Sequence, residues 1–260
     1  YEDNRCFCLS GTEAYSISPA GGATKLGNVA ASQLPGKIAG NGSGGKQIMF
    51  VSGGKGYIWN WNTEVFSTIT DADFPSDVQT CEFSDGYFLA LGYNTRTVNY
   101  SASFDGTSWA ATDVCQKSQS TDNIRNLMVI NRLIYLLGSK KIEVWKNTGD
   151  SLVTFAPLGI LLEYGIDPFA GIAKVHNGLA WIGMNEHGKG RAYRDLNLQP
   201  IPFSHPGVED IFIAPSFIVN TGTQVALVPS LLALGGCWRL YANGGSLELG
   251  DQLELLSRLL

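Results

Sequence analysis

Two stretches decide the fold: Ser84-Asp85-Gly86-Tyr87-Phe88-Leu89-Ala90-Leu91-Gly92, and its counterpart Asn131-Arg132-Leu133-Ile134-Tyr135-Leu136-Leu137-Gly138. In each, a short polar turn opens a five-residue apolar run that glycine closes. A second run follows each one. Thr97-Val98-Asn99-Tyr100-Ser101 precedes the turn at Asp105-Gly106, and Lys141-Ile142-Glu143-Val144-Trp145 leads into Lys146-Asn147-Thr148-Gly149-Asp150. Aromatic and β-branched runs this short cannot make helices of ordinary length, and Gly, Asn and Asp at their borders supply the chemistry of tight turns, so each unit reads as a β-hairpin.

Working outward, the same unit recurs. Asn177-Gly178 opens Leu179-Ala180-Trp181-Ile182, which ends at Gly183, and Gly190-Arg191-Ala192-Tyr193 follows. Towards the N-terminus, Gly45-Lys46 opens Gln47-Ile48-Met49-Phe50-Val51 before the strand Tyr57-Ile58-Trp59. Asn4-Arg5 opens Cys6-Phe7-Cys8-Leu9 before Ala14-Tyr15-Ser16-Ile17. Starts at 4, 46, 85, 131 and 177 lie 42, 39, 46 and 46 residues apart. A period of about 40–50 residues built from hairpins is that of a β-propeller blade, since four short strands and their turns need that length. The expectation is an all-β propeller of about five to six hairpin-based blades. Asn4, Lys46, Asp85, Asn131 and Asn177 should occupy equivalent turns, with Phe88, Ile134 and Ala180 at matching depth.

Composition agrees. A chain of 260 residues can bury a large core as one β-rich domain. Only 16% of residues are charged, and 31 scattered glycines suit a fold of many tight turns. The net charge of −5 argues against a freely exposed nucleic-acid-binding surface, which carries a basic stripe. Five cysteines, at 6, 8, 81, 115 and 237, include no CxxC spacing, so neither a zinc site nor a disulfide framework is indicated. Cys6 and Cys8 share a strand face and read as two small core residues rather than a metal pair. No signal peptide is visible, and no run approaches the ~20 apolar residues of a membrane span. The chain opens at Tyr1 rather than Met, which leaves room for a removed upstream segment.

Between the hairpins, Ala30 to Gly45 reads as an outer strand followed by a long turn, and Pro75 stands where a strand should stop. The segments from Ser103 to Ile124 and from Phe155 to Ile166 should supply the remaining strands of their blades. The last fifty residues break the rule. Val225-Ala226-Leu227-Val228 runs into Pro229, and Cys237-Trp238-Arg239-Leu240-Tyr241 restores a strand signal. Asp251 and Glu254 then have capping-box spacing ahead of Leu253, Leu255, Leu256, Leu259 and Leu260. The expected organisation is a propeller over residues 1–210, then a segment 211–260 of last strands and a short leucine-rich helix.

Phe83-Ser84-Asp85-Gly86-Tyr87-Phe88, Ser103-Phe104-Asp105-Gly106-Thr107-Ser108-Trp109 and Ser120-Thr121-Asp122-Asn123 together resemble the packaged-DNA stabilisation proteins of short-tailed, P22-like phages. So do the run Leu136 to Asp150 and Asn185-Glu186-His187-Gly188-Lys189-Gly190. The similarity covers about residues 1–210 and is strongest from 74 to 195, whereas residues 212–260 depart from the family's usual continuation. The resemblance implies a virion structural protein, made in the host cytoplasm and placed in the phage tail. There it would be a tail hub, or head-completion protein, that closes the portal channel and forms part of the DNA ejection conduit. Implied partners are the portal or adaptor ring, other tail proteins and further copies of itself in a ring, a hexamer by resemblance. Packaged DNA would pass through without sequence-specific binding, and no membrane is involved.

Signs of chemistry are sparse. His176, His187 and His205 sit in different turns, and none has a Cys, Asp or Glu at metal-ligand spacing. The stretch Ser103 to Trp109 is similar to the Asp-box hairpin of sialidase propellers, one residue short between Asp and Gly, and that box is structural. Arg96, Arg125, Arg132 and Arg191 carry no motif. Gly40-Asn41-Gly42-Ser43-Gly44-Gly45-Lys46 lacks the ending and the helix of a phosphate loop and reads as a flexible interblade loop. No catalytic, cofactor-binding or metal residue is assigned, and the protein is expected not to be an enzyme. The competing classes are a propeller glycosidase or lectin, sialidase-like, and a protein-interaction propeller; the fold hosts all of them.

Overall fold

The computed structural model describes residues 4–150, 153–166, 169–175, 178–184, 190–205, 225–226 and 241–242. It divides into two units, 1–163 and 164–260. The first unit holds four sheets. β1 (Cys6–Ser10), β2 (Glu13–Ile17) and β3 (Ala23–Asn28) make the first. The second is β4 (Lys37–Gly40), β5 (Gln47–Ser52), β6 (Lys55–Asn60) and β7 (Val65–Thr68), with the single turn of helix α1 (Gly42–Gly45) between β4 and β5. β8 (Val78–Ser84), β9 (Tyr87–Gly92), β10 (Thr97–Ala102) and β11 (Asp105–Gln116) form the third. β12 (Ile124–Ile130), β13 (Leu133–Gly138), β14 (Ile142–Asn147) and β15 (Phe155–Leu162) form the fourth. In the second unit β16 (Ile172–Val175), β17 (Gly178–Met184), β18 (Gly190–Asp195) and β19 (Pro200–Pro202) repeat the pattern, and β20 (Val225–Ala226) pairs with β21 (Tyr241–Ala242).

Every sheet is an antiparallel meander whose spatial order follows the chain. In the four-stranded sheets the hairpins legible in the sequence are the second and third strands, as in β9–β10 and β13–β14, and the segments between them supply the first and fourth; in the first sheet the hairpin is β1–β2. One expectation needs correction: the strand within Ala30 to Gly45 is not an outer one. It is β4, the first strand of the second sheet, and β4 and β12 both lie against β8. The second, third and fourth sheets therefore meet through their first strands, as blades do around a propeller axis.

Continuous apolar runs, rather than alternating ones, follow from burial on both faces. Along β9, Phe88 and Ala90 face the second sheet beside Met49, Val51 and Ile58. Leu89 and Leu91 face the fourth, beside Leu127, Ile134 and Leu136. Ala14 of the first sheet meets Ile48, Phe50, Tyr57 and Trp59 of the second. Each such Val, Leu, Ile, Met or Phe side chain contributes about 1.5–3 kcal/mol when fully buried. Truncating Phe88, which is wholly buried, to alanine is expected to cost about 3 kcal/mol in urea unfolding followed by circular dichroism.

The period survives in backbone conformation. Asn4, Lys46, Asp85 and Asn131 all adopt left-handed φ values, 56°, 57°, 48° and 51°. Asn177 lies outside the described residues. The matching of depths is off by one in the second unit. Val129 pairs with Ile134 ahead of the Ile130–Leu133 closure, while Val175 closes on Gly178. Leu179, not Ala180, therefore stands where Phe88 and Ile134 stand in their own sheets. All four are buried.

Three of the glycines that end second strands share one cause. A Cβ at Gly53 would lie 2.5 Å from the carbonyl oxygen of Ala31, at Gly92 3.2 Å from that of Ser76, and at Gly183 2.4 Å from that of Gly165. In each case the chain arriving from the previous sheet crosses directly over the strand end. At Gly138 the obstacle is a pair of charged side chains.

Candidate assembly surface

Each four-stranded meander has two ends. The turns from first to second and third to fourth strand lie at one, here the turn end; the second-to-third turns and the connections between sheets lie at the other, the connection end.

At the connection end of the third and fourth sheets, residues 117–123 are held by buried charge. Lys117, fully buried, donates to Asp122 Oδ1 at 2.7 Å and to the Lys141 carbonyl at 2.9 Å. Asp122 Oδ2 accepts the Lys140 N–H at 2.8 Å. Glu143, also fully buried in β14, accepts the backbone N–H groups of Ser118, Gln119 and Ser120 at 3.1, 2.6 and 2.9 Å, and the Trp145 indole N–H at 3.2 Å. Arg96 donates to the carbonyls of Lys117 and Ser120. The connection between sheets is thus fastened to both of them.

Burial alone would raise the Asp122 pKa, but hydrogen bonds from Lys117, the Lys140 N–H and Ser120 outweigh it and hold the value at about 2. Burial pushes Lys117 down. Because the folded Asp122 value lies below the ~3.9 of an unfolded aspartate, its contribution is complete above pH 4 and is lost as pH falls towards 2. Asp122→Asn should flatten that part of a stability-against-pH curve measured by thermal unfolding; an unchanged curve would show that other carboxylates govern acid unfolding.

At the turn end, α1 and its flanks are pinned rather than flexible, which corrects the reading of Gly40 to Lys46 as a loose interblade loop. Asn41 donates to the Phe104 carbonyl, Gln47 Nε2 to Asp105 Oδ1 at 3.2 Å, and the Gly106 N–H to Gln47 Oε1 at 2.7 Å. These bonds tie the β4–β5 segment of the second sheet to the β10–β11 turn of the third. Arg132 Nε likewise reaches Asp85 Oδ1 at 2.6 Å, joining the fourth sheet to the third. Asp105 and Trp109 do what the Asp-box likeness implied. Asp105 accepts the Thr107 N–H and hydroxyl, and Trp109 donates its indole N–H to the Gly106 carbonyl and packs on Phe74.

Other expected features lie apart. Cys6 is exposed and Cys8 half-buried, so the pair is not core, because β1 is an edge strand of a three-stranded sheet. Cys81 and Cys115 are the core thiols, and burial pushes Cys115 up to about 12. His176, His187 and Cys237 lie outside the described residues, as does the leucine-rich segment. Among the described residues no group of three or more His, Cys, Asp or Glu is placed to hold a metal, and no helix is long and apolar enough to cross a membrane. A cleft of about 280 Å³ lies between residues 31–35, the β5–β6 turn and Asp77–Gln79. The charged fastening at 117–143 was missed in the sequence. Its one signal was Glu143, a carboxylate in the middle of an otherwise apolar run.

A family model described as bacteriophage P22 Gp10, beta-propeller, matches residues 1–212. No curated protein matches the chain. Among solved structures, PorZ, a bacterial surface component of the type-IX secretion system of Porphyromonas gingivalis, aligns at 12% identity with a TM-score of 0.48. That alignment covers 76% of this chain and 26% of the PorZ chain, so this chain spans about a quarter of its length.

Proposed function

This chain belongs to the phage P22 Gp10 family of packaged-DNA stabilisation β-propellers, and from that premise we propose that it is a tail hub that closes the portal channel after packaging and forms part of the conduit for ejection. As a family member it is a phage structural protein and a component of the virion. The family match over residues 1–212 carries this reading. In it the protein is made in the host cytoplasm, acts without catalysis or cofactor, and binds the portal or adaptor ring, other tail proteins and further copies of itself. A hub that seals a channel must surround its axis, so closed cyclic symmetry, with six copies, is the assembly proposed. In this reading the propeller spans 1–210, with 211–260 as a separate C-terminal segment.

The test is genetic and direct. Capsids packaged without this protein should lose most of their DNA on purification, and adding the purified protein before purification should restore retention. Capsids that keep their DNA without it would refute the assignment. A second expectation concerns DNA itself. With a net charge of −5, the surface repels phosphate and lets duplex slide, so the isolated protein should bind free duplex DNA only weakly at physiological salt. A filter-binding curve with tight, sequence-independent affinity would contradict this.

A further inference from the structure

The connection from β11 to β12, residues 117–124, is fixed by bonds that do not involve Glu143. The N–H groups of Lys117 and Ile124 donate to the carbonyls of Arg96 and Thr95, both at 2.8 Å. Arg96 Nη2 donates to the Lys117 and Ser120 carbonyls at 2.8 and 3.1 Å, and Asn123 Nδ2 donates to Asn94 Oδ1 at 2.7 Å. All these partners lie in residues 94–96, between β9 and β10, so they belong to the third sheet. The bond from Lys117 Nζ to Asp122 Oδ1 ties the connection to itself.

Held in this way, Ser118, Gln119 and Ser120 turn three successive backbone N–H groups towards one carboxylate, each within 3.1 Å of an oxygen. Convergent N–H groups carry partial positive charge and make a seat for an oxyanion. Glu143 fills that seat from β14 of the fourth sheet, and Trp145 Nε1 on the same strand completes it at 3.2 Å. Seat and occupant therefore come from different sheets. Of the charged side chains at this connection, Lys117 and Asp122 balance each other. Removing Glu143 leaves Arg96 in excess, which favours an anion in its place.

We propose that residues 117–124 form a preformed oxyanion site of the third sheet, that Glu143 is its tethered ligand, and that without Glu143 the site binds a free carboxylate of the size of acetate. This is independent of the hub reading. The size follows from the atoms: alanine at 143 keeps Cβ and removes Cγ, Cδ and both oxygens, which are the heavy atoms of acetate. Access follows from Ser118 and Gln119, which are exposed. The experiment is chemical rescue of Glu143→Ala in the full-length chain, melted in sodium acetate and in sodium chloride of equal ionic strength. Wild type and Phe88→Ala are the controls, since the space left at Phe88 is apolar. Acetate well above its dissociation constant should raise the melting temperature of Glu143→Ala by about 3 °C more than it shifts either control. Pivalate, too bulky for the space, should not. In amide NMR spectra of the variant, acetate should move Ser118, Gln119 and Ser120 saturably, and it should leave them in place in the wild type. If Glu143→Ala does not fold in chloride, refolding yield takes the place of melting, and acetate should raise it at least twofold. Equal melting or equal yield in the two salts would overturn the proposal, because the seat would then form only around Glu143. So would a rise shared by Phe88→Ala, or saturable shifts confined to other amides.

Discussion

Glu143→Ala is expected to lower the unfolding free energy by about 3 kcal/mol, as much as the loss of a large core side chain. The carboxylate is wholly buried and accepts three successive backbone N–H groups from Ser118, Gln119 and Ser120 as well as the Trp145 indole. Hydrogen bonds to a charged acceptor are each worth about 1.5–3 kcal/mol. The connection is partly exposed, and water would recover some of that loss, so the total falls short of the simple sum. Glu143→Gln keeps one acceptor oxygen and should cost about half as much. Urea unfolding followed by circular dichroism checks both, and a loss below ~1 kcal/mol for the alanine variant would mean that the connection is held mainly by Arg96 and Lys117.

Gly138→Ala should be at least as severe. Its Cβ would lie 2.1 Å from Asp122 Oδ2, 2.2 Å from Lys117 Nζ and 2.8 Å from the Lys141 carbonyl oxygen. Flexible side chains often yield to an added methyl group, but Lys117 is fully buried and Asp122 is bound to backbone N–H groups, so neither can move without losing its partner. Parting a buried ion pair leaves an uncompensated charge and costs about 3–5 kcal/mol. Gly149→Ala is the control. It has φ 78° and nothing within 4 Å of the new Cβ, so it carries backbone strain alone and should cost about 1 kcal/mol. A loss at Gly138 no larger than that at Gly149 would show that the ion pair yields to the added methyl group. Because Glu143 and Gly138 act on the same connection, their effects should not add.

The repeat was legible in the sequence because three physical demands recur along it. A left-handed turn residue stands at Asn4, Lys46, Asp85 and Asn131, burial on both faces makes the runs of β9 and β13 wholly apolar, and a close obstacle, a crossing chain at Gly53, Gly92 and Gly183 or the Lys117–Asp122 pair at Gly138, requires glycine at the strand end. Register was harder to see. One residue fewer before β17 moves Leu179 into the place expected of Ala180, and apolar runs such as Leu179-Ala180-Trp181-Ile182 look alike under a shift of one. First strands were harder still, since β4 is four residues long and mostly half-buried, with little apolar pattern to announce it. Cys6 and Cys8 misled because strand position alone does not say whether a sheet has neighbours on both sides.

Each sheet is built from strands consecutive in the chain, and this bears on how the protein comes into being. Partners in a meander are separated by only a turn, so the loop-closure entropy of each pairing is small and each sheet is a fast local unit. Sheets can therefore form one after another as the chain leaves the ribosome, and each offers its apolar face to the next. The cost falls on whichever sheet is newest. Until its successor arrives, a face such as Leu89 and Leu91 on β9 stands bare, and the interval before β12 and β13 cover it is the time at which a nascent chain is most prone to aggregate.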